Sequence, residues 1–530
     1  MTRPTPPVRL PDRRAFLRGG AAALAGALLV PRDLLGRTAV GSPRAVEGIL
    51  RDPYAPLPES AVPGPPVRVR GRVRGGGRGL PGVAVSDGLD VVTTDGDGRF
   101  ELVTTADREF VTCSVPAGHR IPTGPTGTAA HYRPLRADPG GEMEAVFDLE
   151  PLPGGPTADR EHAFLLLADI QTEDATEMGW FHERTVPDVQ GTLADLSGRE
   201  TFGIACGDIM YDDLSFFDAY ERGVERSGIP FFQVVGNHDL DHGPTDEGSI
   251  GTFRRRFGPG HYSFDRGAVH YVVLDDVFWY GDGYIGYLPD EQLRWLEADL
   301  GRVDAGRSVV VALHIPVLGS QHLRRGEERP STAVAVMNRD ALDRLLEPYR
   351  AHVLCGHTHE CEHDFRGSVH EHVAGAVCGA WWSGPICGDG SPNGYAVYEV
   401  AGEDLRWRYK ATGEATDHQM RLYPPGSDPS APDEMVANVW DWDPGWTVAW
   451  WVDGERKGTM ARRVGRDPLS VSLHEGPDLP ERRTWVEPYP TGHLFYAPVP
   501  TDARSVRVEA VDRFSRRYAE SLDLTGGPRP

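Results

Sequence analysis

Aspartate, asparagine, glutamine and histidine recur in five short segments between residues 169 and 359. The segments are Asp169-Ile170-Gln171, Gly207-Asp208, Gly236-Asn237-His238-Asp239, His314-Ile315-Pro316 and Gly356-His357-Thr358-His359. Their side chains are oxygen and imidazole donors, which suit hard and borderline divalent cations. Cations held this way polarise bound oxygens and make a nucleophile of water at neutral pH. Most of the segments follow a short apolar run, at residues 164–167, 231–235, 309–313 and 353–354. Such runs read as buried strands, and α/β sheets bind ligands outside the carboxyl ends of their strands. Metal chemistry at the strand ends of an α/β domain is therefore the first expectation.

The elements that must position these residues follow from the intervening sequence. Residues 216–227, 290–300 and 338–349 have helical spacing of apolar side chains; Pro289 precedes the second of these stretches and acids fill its first turn. Around this α/β segment the pattern is β. Residues 67–150 alternate in character and carry turn signals at Pro81-Gly82, Asp87-Gly88 and Asp95-Gly96-Asp97-Gly98. The last of these lacks the later glutamate of a calcium loop and reads as a plain turn. From residue 402 the chain is β again, with Asp453-Gly454 predicting a type I′ hairpin between two strands. Tryptophans 440, 442, 446, 450 and 451 read as core or interface of that region.

The domain plan is thus a targeting segment at 1–40, a Pro-rich linker at 41–66, a β domain at 67–150, the α/β domain at 157–401 and a second β domain at 402–530. In the first segment, Asp12-Arg13-Arg14-Ala15-Phe16-Leu17 precedes an apolar run, residues 21–30, that is too short to span a membrane. It resembles a twin-arginine (Tat) export signal, and the expected location is extracytoplasmic, secreted or attached to the envelope. The net charge of −23 over 530 residues argues against a nucleic-acid partner. Six cysteines are too few for a disulfide scaffold. Cys206 and Cys355 read as core thiols, and Cys361, Cys378 and Cys387 allow one bridge.

The ordered ligand set resembles the calcineurin-like metallophosphoesterases, whose pattern is D-x-H, G-D, G-N-H-D/E, H and G-H-x-H. The resemblance covers residues 160–400, with Gln171 standing where the family usually has histidine. The N-terminal β segment is similar to transthyretin-like or carboxypeptidase-regulatory sandwiches. The resemblance implies a four-layer αββα catalytic domain flanked by two small all-β sandwich domains. It implies two divalent ions, manganese, iron or zinc. Asp169, Gln171, Asp208 and His359 would hold one; Asp208, Asn237, His314 and His357 would hold the other. Metal-bound hydroxide would attack phosphorus, and His238 would protonate the leaving oxygen, oriented by Asp212 or Asp239. The catalytic set is then His238, Asp208 and Asp239. Trp381, Trp382 and Tyr287 are candidate substrate contacts.

The function expected is hydrolysis of phosphomonoesters or phosphodiesters, whether small molecules, envelope polymers or lipids. Two alternatives remain. Gly207-Asp208-Ile209-Met210-Tyr211 and residues 311–314 fit purple acid phosphatases, in which the tyrosine ligates ferric iron. The flanking β modules and Gln171 also fit a degenerate envelope-binding protein. Taken singly, Asp169 or Asn237 is a turn or cap residue and His314 a core histidine, so the order of the set carries the assignment. His352, His363, His370 and His372 fall outside the motifs and read as solvated or structural; His242 and His322 are within reach of the mouth, but no spacing selects them.

Overall fold

Buried strands that are apolar on both faces need cover on both faces, and the central region supplies it with two sheets and two helix layers. The computed structural model describes residues 64–243, 245–378 and 381–525. The twin-arginine segment lies outside them. The residues from Pro65 onward form one unit.

The first central sheet runs, edge to edge, through Phe231–Val234, Glu200–Cys206, Glu161–Leu167, Gly394–Ala401 and Asp404–Ala411. Its first three strands are parallel and the last two antiparallel. The second sheet runs through Tyr262–Arg266, Val269–Val273, Ser308–Ala312, Arg350–Cys355, Val369–Val373 and Glu362–Arg366. Its four inner strands are parallel and both edges antiparallel. The sheets meet over an aromatic core in which Phe164 stacks on Tyr398 at 4.4 Å and Phe232 on Phe264 at 3.9 Å.

Helices cover the outer faces. Val186–Asp195 and Phe217–Ser227 pack on the first sheet, and Asp290–Leu300 and Arg339–Leu346 on the second. The result is a four-layer α/β/β/α arrangement. The boundary placed at residues 401 and 402 needs correction. Gly394–Ala401 and Asp404–Ala411 are the two arms of one hairpin in the first sheet, so the central domain extends through Ala411.

Before this domain, two four-stranded sheets enclose Val67, Val69, Phe100, Val111 and Phe147. After it, two more enclose Met435, Trp446, Val448, Trp450, Phe495 and Val508. Thr447–Val452 and Glu455–Thr459 form the expected hairpin. Asp453 and Gly454 at its tip have φ of 48° and 83°, as a type I′ turn demands. All six cysteines are buried and free, so the bridge allowed among Cys361, Cys378 and Cys387 is not formed. Among the described residues no helix is long and apolar enough to cross a membrane.

Candidate metal centre

Each motif sits where a parallel strand of the central domain ends and the chain must turn sharply over the sheet edge. Asp169, Gln171, Asp208, His357 and His359 take φ values of 51°, 48°, 46°, 68° and 53°. Left-handed backbone is uncommon outside glycine and collects at functional sites. The motif glycines have a steric reason. A Cβ on Gly236 would collide with the Asp208 backbone, and one on Gly356 with the Asp169 carboxylate.

The turns bring the donors together. His314 Nε2 lies 3.3 Å from Asp208 Oδ1 and 3.2 Å from both Asn237 Oδ1 and His357 Nδ1. His359 Nε2 lies 3.3 Å from Asp169 Oδ1, and Gln171 Nε2 lies 3.1 Å from Asp208 Oδ2. Asp208, His314 and His357 form a buried group whose ligand atoms lie within 4.8 Å of one another.

The outer nitrogens of the two imidazoles decide what this group fits. His314 Nδ1–H donates to the Cys206 carbonyl at 3.0 Å, and His357 Nε2–H to the Ala333 carbonyl at 2.8 Å. Each ring therefore turns its bare lone pair inward, toward the other ring and toward two side-chain oxygens. Lone pairs aimed at one point repel unless a cation lies between them, and outward-turned protons of this kind are how metal-ligating histidines are oriented. The donor set thus fits divalent ions. Burial opposes charge on His314, but the Asp208 carboxylate outweighs it and raises the imidazole to about 10, as expected where the surroundings favour a cation. Gln171 sits between Asp208 and the Cys378 thiol, 3.7 Å from its Oε1; a half-turn of the amide presents its oxygen to the centre.

His238 stands beside this group with its backbone N–H on Asp208 Oδ1 at 2.8 Å. Its Nδ1 meets Asp212 Oδ1 at 2.8 Å. Asp239, placed in the catalytic set from the sequence, has another position. It is fully buried and accepts the backbone N–H groups of Ile209, Met210 and Gly236. It ties the Asp208 loop to the Asn237 loop, and Asp212 is the residue that orients His238. Burial, reinforced by the Asp208 charge, raises Asp239 to about 7.

Two further carboxylates of this kind escaped the sequence reading. Asp276 accepts the N–H groups of His314 and Ile315. Glu371 accepts those of Val317, Leu318 and Gly319. Both are buried, and burial raises each to about 7. They are remote in sequence from the loops they fasten and belong to no motif.

The rim is aromatic, with a different membership from the one expected. The Trp381 indole N–H donates to His359 Nδ1 at 2.6 Å, and the ring packs on Tyr211 and His238 at centroid distances of 4.8 and 5.6 Å. Trp382 packs edge-on against Trp180 and the core beneath the first sheet, and also against the cluster that holds Trp381. Tyr287 packs against Phe278, whereas Tyr284 stands edge-on to His357 at 6.0 Å. His242 stacks on Trp279, 3.9 Å from Asp212, and His322 bonds the Gly319 carbonyl.

The C-terminal region also reaches the rim, which no sequence signal announced. Trp485 packs on Trp381 at 4.7 Å. The Arg483 guanidinium lies 5.4 Å from the Tyr211 ring, donates to the Trp381 carbonyl at 2.6 Å and pairs with Glu173 and Glu177.

Known proteins match along the same three regions. The N terminal of calcineurin-like phosphoesterase matches residues 67–152, calcineurin-like phosphoesterase 162–361, and the C terminal of calcineurin-like phosphoesterase 371–518. The serine/threonine-protein phosphatase CPPED1 of Bos taurus is 29% identical over 175 residues, 31% of this chain and 55% of that protein. Purple acid phosphatase 22 of Arabidopsis thaliana is 30% identical over 175 residues, 29% of this chain and 37% of that protein. The chain thus spans about half the length, or less, of the curated relatives it matches. A dimetal phosphatase structure from Danio rerio aligns with 47% of this chain and 96% of its own at 14% identity, with a TM-score of 0.33. With the N-terminal, catalytic and C-terminal parts of one family following one another from residue 67 to residue 518, the chain belongs to the calcineurin-like phosphoesterase superfamily.

Proposed function

We propose that this protein is an exported metal-dependent hydrolase of phosphate esters. The observation that carries the reading is the convergence of inward-facing lone pairs from Asp208, Asn237, His314 and His357, with His238 beside them. Asp169, Gln171, Asp208 and His359 would hold one ion, and Asp208, Asn237, His314 and His357 the second. Manganese, iron and zinc all suit such nitrogen and oxygen donors. Two ions would neutralise phosphoryl charge and supply a nucleophilic water at neutral pH.

The chain's own groups do the rest. Asp208 lies between the two donor sets and is the group available to both. Asp212 accepts the Nδ1 proton of His238, which leaves Nε2 as the nitrogen facing the ester; with the ring as imidazolium, Nε2 gives its proton to the leaving oxygen and Asp212 stabilises the charge. Trp381, Trp485 and Tyr284 offer flat apolar faces to the leaving group. Neither alternative is favoured. A degenerate binding protein has no need of the converging donors, and the Tyr211 ring lies on His238 as part of the rim.

Export rests on the twin-arginine motif and its apolar run. It favours extracytoplasmic esters: scavenged small molecules, envelope polymers or lipids. Replacing Arg13 and Arg14 by lysine should leave the protein in the cytoplasm; unchanged fractionation rejects this route. The activity is tested by offering a chromogenic phosphodiester and a monoester to manganese-reconstituted protein, with Asp208→Asn beside it. Cleavage of either ester, lost in the variant, supports the reading. Equal rates with and without Asp208 reject it.

A further inference from the structure

A second group of histidines lies away from the mouth, on neighbouring strands of the second sheet. His352 on Arg350–Cys355 is in register with His370 on Val369–Val373, and His372 with His363 on Glu362–Arg366. All four belong to one patch: the His370 and His372 rings are 3.8 Å apart, and His363 lies 5.2 and 5.0 Å from them. Of the two readings open for these residues, solvated or structural, the structural one fits His363, His370 and His372, while His352 is half-buried. His370 and His372 are buried, and the His363 side chain is only 4% exposed.

We propose that His352, His370 and His372, with His363 as a fourth donor, bind one borderline divalent cation such as zinc at a structural site separate from the phosphoesterase centre. One nitrogen from each of the first three lies within 4.8 Å of the others. His352 Nδ1 is 3.0 Å from His372 Nε2, and His363 Nδ1 is 3.1 Å from His370 Nε2. Tetrahedral zinc with bonds of about 2.0–2.1 Å places its nitrogens about 3.3 Å apart, so small ring movements suffice.

Orientation favours ligation. His363 Nε2–H donates to Asp441 Oδ1 at 3.0 Å, which leaves Nδ1 bare and turned to the cluster. That carboxylate–histidine arrangement is the usual outer support of a metal ligand. The buried His372 Nδ1 has no hydrogen-bond partner, and an unpaired buried polar atom is costly.

The protonation state permits it. Burial, first of all, keeps His352, His370 and His372 far below the ordinary imidazole value, His352 at about 4, so all three remain neutral lone-pair donors. The neighbouring Arg513 guanidinium is paired with Asp443 at 2.8 Å through two nitrogens. Because Asp441 lies in the C-terminal domain, just after its strand Glu434–Asn438, a cation here would fasten the edge of the second sheet to that domain.

The test is zinc stoichiometry of the full chain after loading and dialysis, measured by mass spectrometry of the metal. Asp208→Asn/His357→Ala protein, crippled in the phosphoesterase centre, should keep one equivalent. Adding His370→Gln/His372→Gln should remove it. Should the quadruple variant not fold, zinc-edge absorption on the Asp208→Asn/His357→Ala protein decides: three or four imidazoles per zinc are expected. Retention of no zinc, an oxygen-rich shell, or an equivalent that survives His370→Gln/His372→Gln overturns the proposal and leaves a hydrogen-bonded imidazole chain. Failure of the phosphoesterase reading would look different: no ester cleavage, with this equivalent still present.

Discussion

The phosphoesterase centre and the four-histidine patch use the same side chain in opposite ways. At the centre, donors come from turns beyond the carboxyl ends of strands, five of them in left-handed backbone. Backbone carbonyls take the outer protons of His314 and His357. In the patch, donors stand on the strands themselves, aligned by sheet register and oriented by one another and by Asp441. The strand Val369–Val373 separates the two. His370 and His372 face the patch, while Glu371 between them points the other way and holds the loop after His314. An open site with strained loops suits turnover; a closed site on a sheet suits cross-linking.

Removing the bridging carboxylate should break the first half of that comparison most severely. Asp208→Asn should lower phosphodiester or phosphomonoester turnover to background, at least on the order of 10³-fold, since metal charge supplies several kcal/mol. The patch should keep its zinc in the same variant. Next in size is His238→Ala, expected to cost about 10²–10⁴-fold in kcat, with the largest loss on esters of poor leaving groups. A loss independent of the leaving group would remove His238 as the proton donor. Asp212→Asn should cost about 10–100-fold, whereas equal activity would return the orienting role to another residue.

His270 sharpens the comparison from a third direction, because there a proton supplies the charge. The ring is buried between Asp265 at 2.7 Å and Asp299 at 2.9 Å. Burial alone would lower its pKa, but the two carboxylates outweigh burial and raise it to about 9. A raised histidine stabilises fully below its unfolded value near 6.5, and the stabilisation is lost as pH climbs through about 9. Thermal unfolding should therefore show a decline between those limits, on the order of 3 kcal/mol, flattened in His270→Gln. An identical slope in that variant would assign the decline elsewhere. The smallest effect is expected at the rim. Trp485→Ala should raise KM several-fold for an ester with an aromatic leaving group, about 1 kcal/mol, and leave kcat nearly unchanged.

Legibility followed chain locality. The helices at Phe217–Ser227 and Asp290–Leu300 and the hairpin at Asp453 were visible because spacing and turn residues are local signals. The boundary at residue 401 was misplaced because a hairpin arm looks alike in either neighbouring domain. Trp382 and Tyr287 were named for the mouth from sequence adjacency; the contacts add Tyr284, edge-on to His357, and place Tyr287 against Phe278. Asp239 shares a motif with His238, but its carboxylate is occupied by three backbone N–H groups.

The sequence by itself determined the donor types, their order and the strand–turn settings that hold them, since each motif is a contiguous stretch with its own glycine. Only the tertiary structure decided which carboxylate orients His238, that Asp276 and Glu371 fasten the loops, that Trp485 reaches the rim, and that four scattered histidines share one buried patch. Most of those are contacts between residues far apart in the chain, and the histidines, though close in sequence, meet only across strands. Sheet register and layer packing create them, and no local pattern records them.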